Sequence, residues 1–296
     1  MSNEKKATVR DIARQAGVSV ATVSYVLNDK KGAKISDSTR KKVLQVANML
    51  NYSIPEKYKS GTERKETYSI GVVYALTPES PSRSAEIMQL ISLLAERFAR
   101  MKYKFILIPM EPSADSYEPV SGLDGIIAID LNEHDFKIMS GNYYVPVLCL
   151  DMMINDFLFY QIHTDIETLV KTASEKFGND FYLITDKYYN EGYLQYLSLA
   201  MPKGKFFIYS EMSDKDFKKL ENKKVLVLGT FLGLEVKQFI SEANLIVIST
   251  LDSENTVPPK SLTIHNDINK KANLAVNIMM NALEKKFDVK HEYKVC

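Results

Sequence analysis

The sequence predicts an α/β protein in which a small all-α helix-turn-helix head precedes a two-lobed, doubly wound α/β body. Two observations predict this class. Near the N-terminus, two short helical patterns flank a glycine turn. Further on, apolar strand-like runs alternate with helical patterns, which is typical of parallel strands buried on both faces. The 296 residues are enough for such a head and a body with a sizeable core.

The first two helices are predicted within residues 8–28, TVRDIARQAGVSVATVSYVLN. Thr8 and Asp11 have the spacing of a capping box. Gly17 ends the first helix, because glycine tolerates positive φ. Ser19 is expected to cap the second helix. The buried stripe of that helix is predicted to be Val23, Val26 and Leu27.

The exposed N-terminal half of the second helix is the part that a helix-turn-helix presents to base edges in the major groove. Its predicted members are Val20, Ala21, Thr22, Ser24 and Tyr25. A third helix is predicted after Ser36, with the apolar stripe Val43, Val46, Ala47 and Leu50. Three helices in about 50 residues make a bundle of the size of a DNA-reading head.

These residues carry a family resemblance. The segment TVRDIARQAGVSVATVSYVLN, followed by ISDSTRKKVLQVANMLNY, resembles the head of the LacI/GalR family of bacterial transcription regulators. The resemblance implies contacts to phosphates, or positioning on the duplex, by Thr8, Ser19, Thr22, Asn28 and Thr39. It implies base-facing positions at Val20, Ala21 and Tyr25. Family members usually carry Arg at position 25. Since Arg reads guanine through two hydrogen bonds and Tyr does not, the operator is expected to differ from the common half-site.

Charge is distributed unevenly along the chain. Residues 1–62 hold 12 Lys+Arg and 5 Asp+Glu, whereas the remaining residues hold 26 and 32, although the net charge is only +1. A basic head on an acidic body is expected of a protein that touches nucleic acid at one end only. There is no apolar run of about 18 residues and no signal-peptide pattern, so we expect a cytoplasmic protein without a membrane partner.

Residues 53–67 are polar and aperiodic and predict a linker. In the family that it resembles, this segment forms a hinge helix whose leucine wedges into the minor groove. Here Lys59 lies near the usual Arg and Gly61 near the usual leucine, and glycine disfavours helix. Two alternatives stay open: the hinge stays flexible, or Tyr58 takes the wedge position. The predicted domains are therefore a head at 1–52, a linker or hinge at 53–67, and an effector-binding and dimerisation body at 68–296.

The body shows eight strand-like runs, at 69–75, 104–110, 125–130, 146–151, 181–186, 205–210, 224–229 and 245–250. Helices are predicted at 84–100, 166–177, 232–243 and 268–284. The alternation of strands and helices is interrupted near 152–164, which predicts two lobes. The last helix is predicted to cross back to the first lobe. The phrases LDGIIAID and VPVLCLD resemble the two-lobed, periplasmic-binding-protein-like body of LacI/GalR regulators. The resemblance implies a sugar-like effector in the cleft and a dimer interface at helix 84–100.

Clefts between such lobes bind ligands at the carboxyl ends of strands. The predicted effector-binding residues are Asp130, Tyr189 and Asp252, and Asp151 is a further candidate. Asp165 is predicted to be a helix N-cap. No arginine occurs in 101–296, so the second lobe supplies no bidentate arginine. Three alternatives stay open: a neutral sugar-like ligand, an unusual effector, or a cleft without ligand that serves only dimerisation.

No catalytic or phosphate-binding motif is present, so no enzyme activity and no cofactor are predicted. Cys149 and Cys296 are expected to be free thiols, and the four scattered histidines do not predict a metal site. The sequence thus favours a homodimeric repressor that binds a two-fold symmetric operator on double-stranded DNA. The alternatives are a regulator with a degenerate pocket that a partner protein controls, and a solute-sensing module that binds no DNA.

Overall fold

The computed structural model describes residues 8–27, 34–50, 52, 67–113, 115–156, 158–250, 261–284 and 290–296. The head consists of three helices, α1 (Val9–Ala16), α2 (Val20–Leu27) and α3 (Asp37–Met49). Their apolar stripes meet in a small core that contains Ile12, Val23 and Val46. The predicted stripes of the second and third helices are buried, except that Leu50 lies just after the end of α3 and is half-buried.

The body alternates strands and helices. Its first part contains β1 (Ser69–Ala75), α4 (Pro81–Arg100), β2 (Lys104–Met110), β3 (Gly125–Ile129), α5 (Glu133–Ser140), β4 (Val147–Leu150) and β5 (Tyr160–Thr164). Its second part contains α6 (Ile166–Phe177), β6 (Tyr182–Thr185), α7 (Glu191–Leu199), β7 (Phe206–Ile208), α8 (Asp214–Leu220), β8 (Val225–Leu228), α9 (Thr230–Val236), β9 (Leu245–Ser249) and β10 (Leu262–His265). The last elements are α10 (Ile268–Leu283) and β11 (Glu292–Val295).

The strands form two parallel sheets, one in each lobe. The strand order is β11-β5-β4-β3-β1-β2 in the first sheet and β10-β9-β8-β6-β7 in the second. The chain returns from the second lobe through α10, so β11 pairs with β5 in the first sheet. Helices joining parallel strands explain why the central strands are buried on both faces.

The first lobe buries both faces of its sheet. Alternate residues of β3 point in opposite directions: Ile127 and Ile129 pack under α4 and α10, whereas Ile126 and Ala128 pack under α5. All five residues of β3 are buried, which explains its continuous apolar run. No helix among the described residues has the length and apolar content needed to cross a membrane.

The predicted α/β class, with a three-helix head and a two-sheet body, is confirmed. The predicted break at 152–164 is wrong in part, because β5 occupies Tyr160–Thr164. The predicted helix at 232–243 is also wrong in its extent, since α9 ends at Val236. The elements that the sequence pattern missed are β5, β10, β11, α5, α7 and α8.

Candidate nucleic-acid interface and inter-lobe site

The turn between α1 and α2 has the local geometry that the sequence predicts. Thr8 and Asp11 form the capping box: the Thr8 amide donates to Asp11 Oδ2 (2.9 Å), and the Asp11 amide donates to Thr8 Oγ1 (3.3 Å). Gly17 has φ of 65°, a left-handed conformation that glycine adopts without strain. The Ser19 hydroxyl accepts from the Thr22 amide (3.0 Å) and thereby caps α2.

The N-terminal half of α2 forms an exposed face. Val20 is 46% exposed and Tyr25 is 38% exposed, although both are apolar or aromatic side chains. Ala21 is also exposed, and Thr22 and Ser24 are half-buried. A large exposed apolar side chain beside small polar ones fits contact with thymine methyl groups and base edges. The body does not cover this face.

The N-termini of the three head helices carry hydroxyl groups. Thr8 caps α1, Ser19 caps α2, and Ser36 accepts from the Thr39 amide (3.2 Å) at the start of α3. Helix N-termini attract phosphate through their free amides and their positive dipole end. Thr39 is half-buried and within hydrogen-bond distance of the Ser36 hydroxyl (2.8 Å). Four predicted site residues, Asn28, Tyr58, Lys59 and Asp252, lie outside the described residues.

Two aspartates stand where the central strands of the first sheet end. Asp130 follows β3 with φ of 54°, and Asp151 follows β4 with φ of 52°. Left-handed backbone is uncommon for residues other than glycine, and it concentrates at functional sites. Both carboxylates are buried between the lobes.

Arg83 of α4 supplies the guanidinium group of the cleft. Its Nε donates to Asp130 Oδ2 (3.0 Å), and its Nη2 lies 3.5 Å from Asp151 Oδ2. The guanidinium also lies over the ring of Tyr188 from the second lobe, 4.1 Å from the ring centroid. The first lobe therefore provides the arginine that the second lobe lacks, and protein carboxylates already pair with it.

Lys271 of α10 provides the second buried cation. Its Nζ donates to Asp151 Oδ1 (2.7 Å) and to Thr164 Oγ1 (3.0 Å). Burial raises the pKa of Asp151, but the charges of Lys271 and Arg83 outweigh burial and hold that pKa below its usual value. Asp151 therefore stays ionised at neutral pH.

Several hydrogen bonds join the two lobes directly. Asp130 Oδ1 accepts from the backbone amides of Tyr189 (2.9 Å) and Asn190 (3.2 Å). Asp186, after β6, accepts at Oδ1 from Ser82 (2.7 Å). Glu86 accepts from the Thr230 amide (2.9 Å) and, at its other oxygen, from Thr250 (2.8 Å). All of these hydrogen bonds join protein groups of one lobe to protein groups of the other, so the lobes contact each other directly.

Carboxyl groups outnumber cations in this inter-lobe cluster, which we define as Arg83, Glu86, Asp130, Asp151, Asp186 and Lys271. Burial raises the pKa of Asp130 to about 6, against the opposing charge of Arg83. Burial likewise raises the pKa of Glu86 and of Asp186. Burial is the largest cause of the raised pKa in all three groups, and two cations cannot neutralise four ionised carboxylates.

Little space remains inside the cleft. The cavity that the cluster lines has a volume of ≈ 30 Å³, room for about two water molecules. Among its lining groups, Asn266 Oδ1 is buried without a hydrogen-bond partner. A sugar ring does not fit in this volume with the lobes in this position.

The predicted effector residues come together only in part. Asp130 lies in the cluster with both oxygens already accepting hydrogen bonds. Tyr189 stands beside it, but its hydroxyl donates to Glu79 at the edge of the cleft. Asp165 caps α6, as predicted, through the Thr168 amide (3.2 Å). Asp130 and Tyr189 as ligand contacts stay predictions.

Four residues of the cluster were not predicted from the sequence: the cations Arg83 and Lys271 and the carboxyl groups Glu86 and Asp186. A usable signal existed for the cations. Arg83 stands on the buried stripe of α4, four residues before Ile87, and Lys271 stands on that of α10, beside Ala272. A charge on an apolar stripe requires a buried partner, so it marks a candidate site. Within the described residues, no group of three or more His, Cys, Asp or Glu is placed to hold a metal ion.

Residues 8–55 match the family described as bacterial regulatory proteins, lacI family. Among curated relatives, catabolite control protein A of Streptococcus mutans serotype c is 45% identical over 73 residues, which cover 25% of this chain and 21% of that protein. The chain spans less than half the length of the first curated relatives that it matches. The sequence likeness is therefore concentrated in the head.

Solved structures resemble the whole chain. The lac repressor dimer bound to operator and the anti-inducer ONPF has a TM-score of 0.55 at 20% identity, over 98% of this chain and 96% of that one. The complex of the transcriptional regulator CelR with cellobiose has a TM-score of 0.52 at 15% identity, over 98% and 97%. At these identities the likeness shows the fold of head and body together.

Proposed function

We propose that this chain, whose head belongs to the lacI family of bacterial regulatory proteins, is a sequence-specific DNA-binding transcription regulator, and most simply a repressor. The observation that carries the proposal is the exposed N-terminal half of α2, with Val20, Ala21 and Tyr25 uncovered beside the capped helix ends. Thr8, Ser19, Thr22 and Thr39 would hold the head on phosphates, and Ser24 would lie near the base edges.

The regulator acts as a homodimer on a two-fold symmetric operator, because one head buries too little DNA for specific affinity. An apolar surface suits a second copy of the chain: Leu107 on the outer strand β2, Met88 on α4 and Leu76 after β1 are all exposed. The remaining faces of α4 already pack against α9 and α10. The similar lac repressor structure is a dimer on its operator.

The body is an allosteric unit without a catalytic role, and the protein works in the cytoplasm, where a bacterial chromosome lies. One form of control is a sugar-like effector between the lobes, as in the CelR complex with cellobiose. Such a ligand would have to separate the lobes and break the bonds from Asp130 to Tyr189 and Asn190. Asp130, Tyr189 and Asp252 are the residues that we propose for its recognition.

The closed cleft favours a second candidate, a regulator without a small-molecule effector that a partner protein controls. Arg83 and Lys271 already occupy the space between the lobes, and the remaining volume is ≈ 30 Å³. A thermal-shift screen of sugars and nucleosides separates the two candidates. A stabilising compound supports the effector, whereas a screen without any stabilising compound supports the second candidate.

Selection of bound sequences from a random DNA library, with the full-length protein, tests the regulator itself. We expect a two-fold symmetric site with a fixed half-site spacing. Binding should weaken steeply with salt, because phosphate contacts release counterions. Unsymmetrical binding, or an affinity that does not depend on salt, would refute the proposal and favour a sensor module that binds no DNA.

A further inference from the structure

The segment that joins β4 to β5 connects the inter-lobe cluster with the head. Because β4 and β5 are parallel, this segment must run back from the carboxyl end of the sheet to its amino end. We call its described residues, 151–156 with Leu158 and Phe159, the strand connector. It begins at Asp151 in the cluster and ends immediately before Tyr160, the first residue of β5.

Leu158 packs with the head. It is only 5% exposed, and it belongs to the same buried cluster as Ile12, Val23 and Val46. Phe159 is shared between the two units: it packs against the head core and also against the core of the first lobe. Its ring meets that of Phe136 edge-to-face, with centroids 4.8 Å apart. The connector thus supplies a hydrophobic joint between head and body.

Hydrogen bonds hold the rest of the strand connector. The Met153 amide donates to Asn190 Oδ1 (2.9 Å), a residue of the second lobe. Ile154 exchanges two hydrogen bonds with the Gln161 side chain (2.7 and 2.9 Å). A segment fixed at both ends transmits displacement better than a free loop does. The hydrogen bond from Met153 to Asn190 therefore links the connector directly to the second lobe.

The packing of the head on the body leaves the exposed N-terminal half of α2 uncovered. Val20 and Tyr25 of α2 stay exposed, whereas Ser38 and Lys42 of α3 line a groove of ≈ 1490 Å³ along the body. The predicted linker is polar and carries Gly61 where the family has its wedge leucine. Burial of Leu158 and packing of Phe159 against the head supply apolar contact between head and body that a polar linker sequence offers little of.

We propose that Leu158 and Phe159 form a joint that holds the head on the first lobe in its DNA-reading orientation, and that the inter-lobe cluster controls the head through the strand connector. This inference rests on the proposed DNA-binding function. It assigns the positioning of the heads to a body surface rather than to the linker. The half-site spacing of the operator would then be set by the docked heads.

Hydrogen exchange and DNA binding of full-length variants test the joint. Leu158→Asp places a charge in the shared core, so the amides of α1 and α3 should exchange faster while those of β1 and β8 keep wild-type rates. Affinity for the selected symmetric site should fall about tenfold, with a broader half-site spacing. Leu158→Met, which preserves volume, should restore both properties. Leu199→Asp changes an exposed leucine of the second lobe and serves as the matched control.

The outcomes are distinguishable. Wild-type head exchange in Leu158→Asp would overturn the docking. Faster head exchange with unchanged affinity and spacing would overturn the positioning role. If the wild-type protein selects no symmetric site, the proposed regulator fails, and the exchange rates then decide on the docking alone. A thermal unfolding curve of the body that matches the wild type excludes general misfolding of the variant.

Discussion

Removal of the Arg83 guanidinium should destabilise the closed body strongly. The side chain is 4% exposed, and it pairs with the fully buried Asp130 and lies over the Tyr188 ring. Arg83→Met keeps most of the side-chain volume but leaves Asp130 without its cation. Loss of one partner from a buried pair costs about 3–5 kcal/mol. For a body of this size each kcal/mol lowers the Tm by about 2–4 °C, so we expect a decrease of about 10 °C.

Differential scanning calorimetry of the full-length protein measures this decrease. Arg100→Met is the matched control, because Arg100 is 74% exposed and pairs with Glu96 on the surface of the same helix. That surface pair should contribute less than about 1 kcal/mol. If the Tm of Arg83→Met falls no further than that of Arg100→Met, the inter-lobe cluster does not stabilise the closed body.

The pH dependence provides a second check with a defined sign. Without Arg83, nothing in α4 opposes the effect of burial on Asp130, and its folded-state pKa rises further above the unfolded value. A raised carboxyl pKa means that the folded state binds more protons, so the unfolding free energy increases as pH falls through that pKa. The deficit of Arg83→Met should therefore shrink from pH 7 towards pH 5. The double variant Arg83→Met with Asp130→Asn should regain stability at pH 7, and failure to do so would contradict the assignment of the cost to Asp130.

Four further outcomes are expected. Tyr25→Arg should shift library selection towards guanine in each half-site, and an unchanged site would show that Tyr25 does not face the bases. Leu107→Glu should convert the dimer to a monomer in analytical ultracentrifugation, whereas an unchanged sedimentation coefficient would place the interface elsewhere. A thiol reagent should modify Cys296 in the native protein but not Cys149, which is buried and whose pKa burial raises; equal reactivity would contradict the packing of β4. Phe98→Ala should cost about 3–5 kcal/mol in urea unfolding, and a loss below 1 kcal/mol would mean that the core under α4 is loose.

The apolar strands could be predicted from the sequence because burial on both faces leaves a continuous signal. β1 and β9 are examples, and their bounds differ from the predicted ones by at most one residue. β5 escaped the prediction because its residues include Gln161 and His163. Both are buried, but Gln161 bonds to the connector and His163 stacks on Tyr193. Contacts with residues distant in the sequence therefore allow a strand with polar residues to be buried, and the sequence alone does not reveal those contacts.

Two of the four edge strands, β10 and β11, escaped the prediction for a different reason. β10 and β11 each have one neighbour in their sheet, and each has a single fully buried residue, Ile264 in β10 and Val295 in β11. Four-residue strands of this kind carry too few apolar positions to stand out from a loop. Their places in the sheets follow from the crossover through α10, which is a property of the whole fold.

The functional residues divide in the same way, into those that local sequence predicts and those that only the tertiary fold brings together. The head could be predicted because its caps, glycine turn and stripes are local: Thr8 and Asp11 lie three residues apart, and Ser19 and Thr22 do too. The inter-lobe cluster could not, because Arg83 and Asp130 are 47 residues apart and Lys271 and Asp151 are 120 apart. No arginine occurs in 101–296, and the guanidinium group of the cleft comes from Arg83 in the first lobe.

Coupling between the cluster and the head has to work in both directions. If the closed lobes favour the reading orientation by some factor, then DNA bound to the head must favour the closed lobes by the same factor, since linkage is reciprocal for binding free energies. The strand connector contacts both units, because Asp151 belongs to the inter-lobe cluster and Leu158 to the head core. A change in either unit should therefore alter the conformation of the connector. Operator DNA should therefore slow hydrogen exchange at Met153 and Asn190, far from the DNA, in the wild-type protein. In Leu158→Asp, where the joint is broken, saturating operator should not slow the exchange of those two amides. This difference separates coupling through the connector from stabilisation of the head alone.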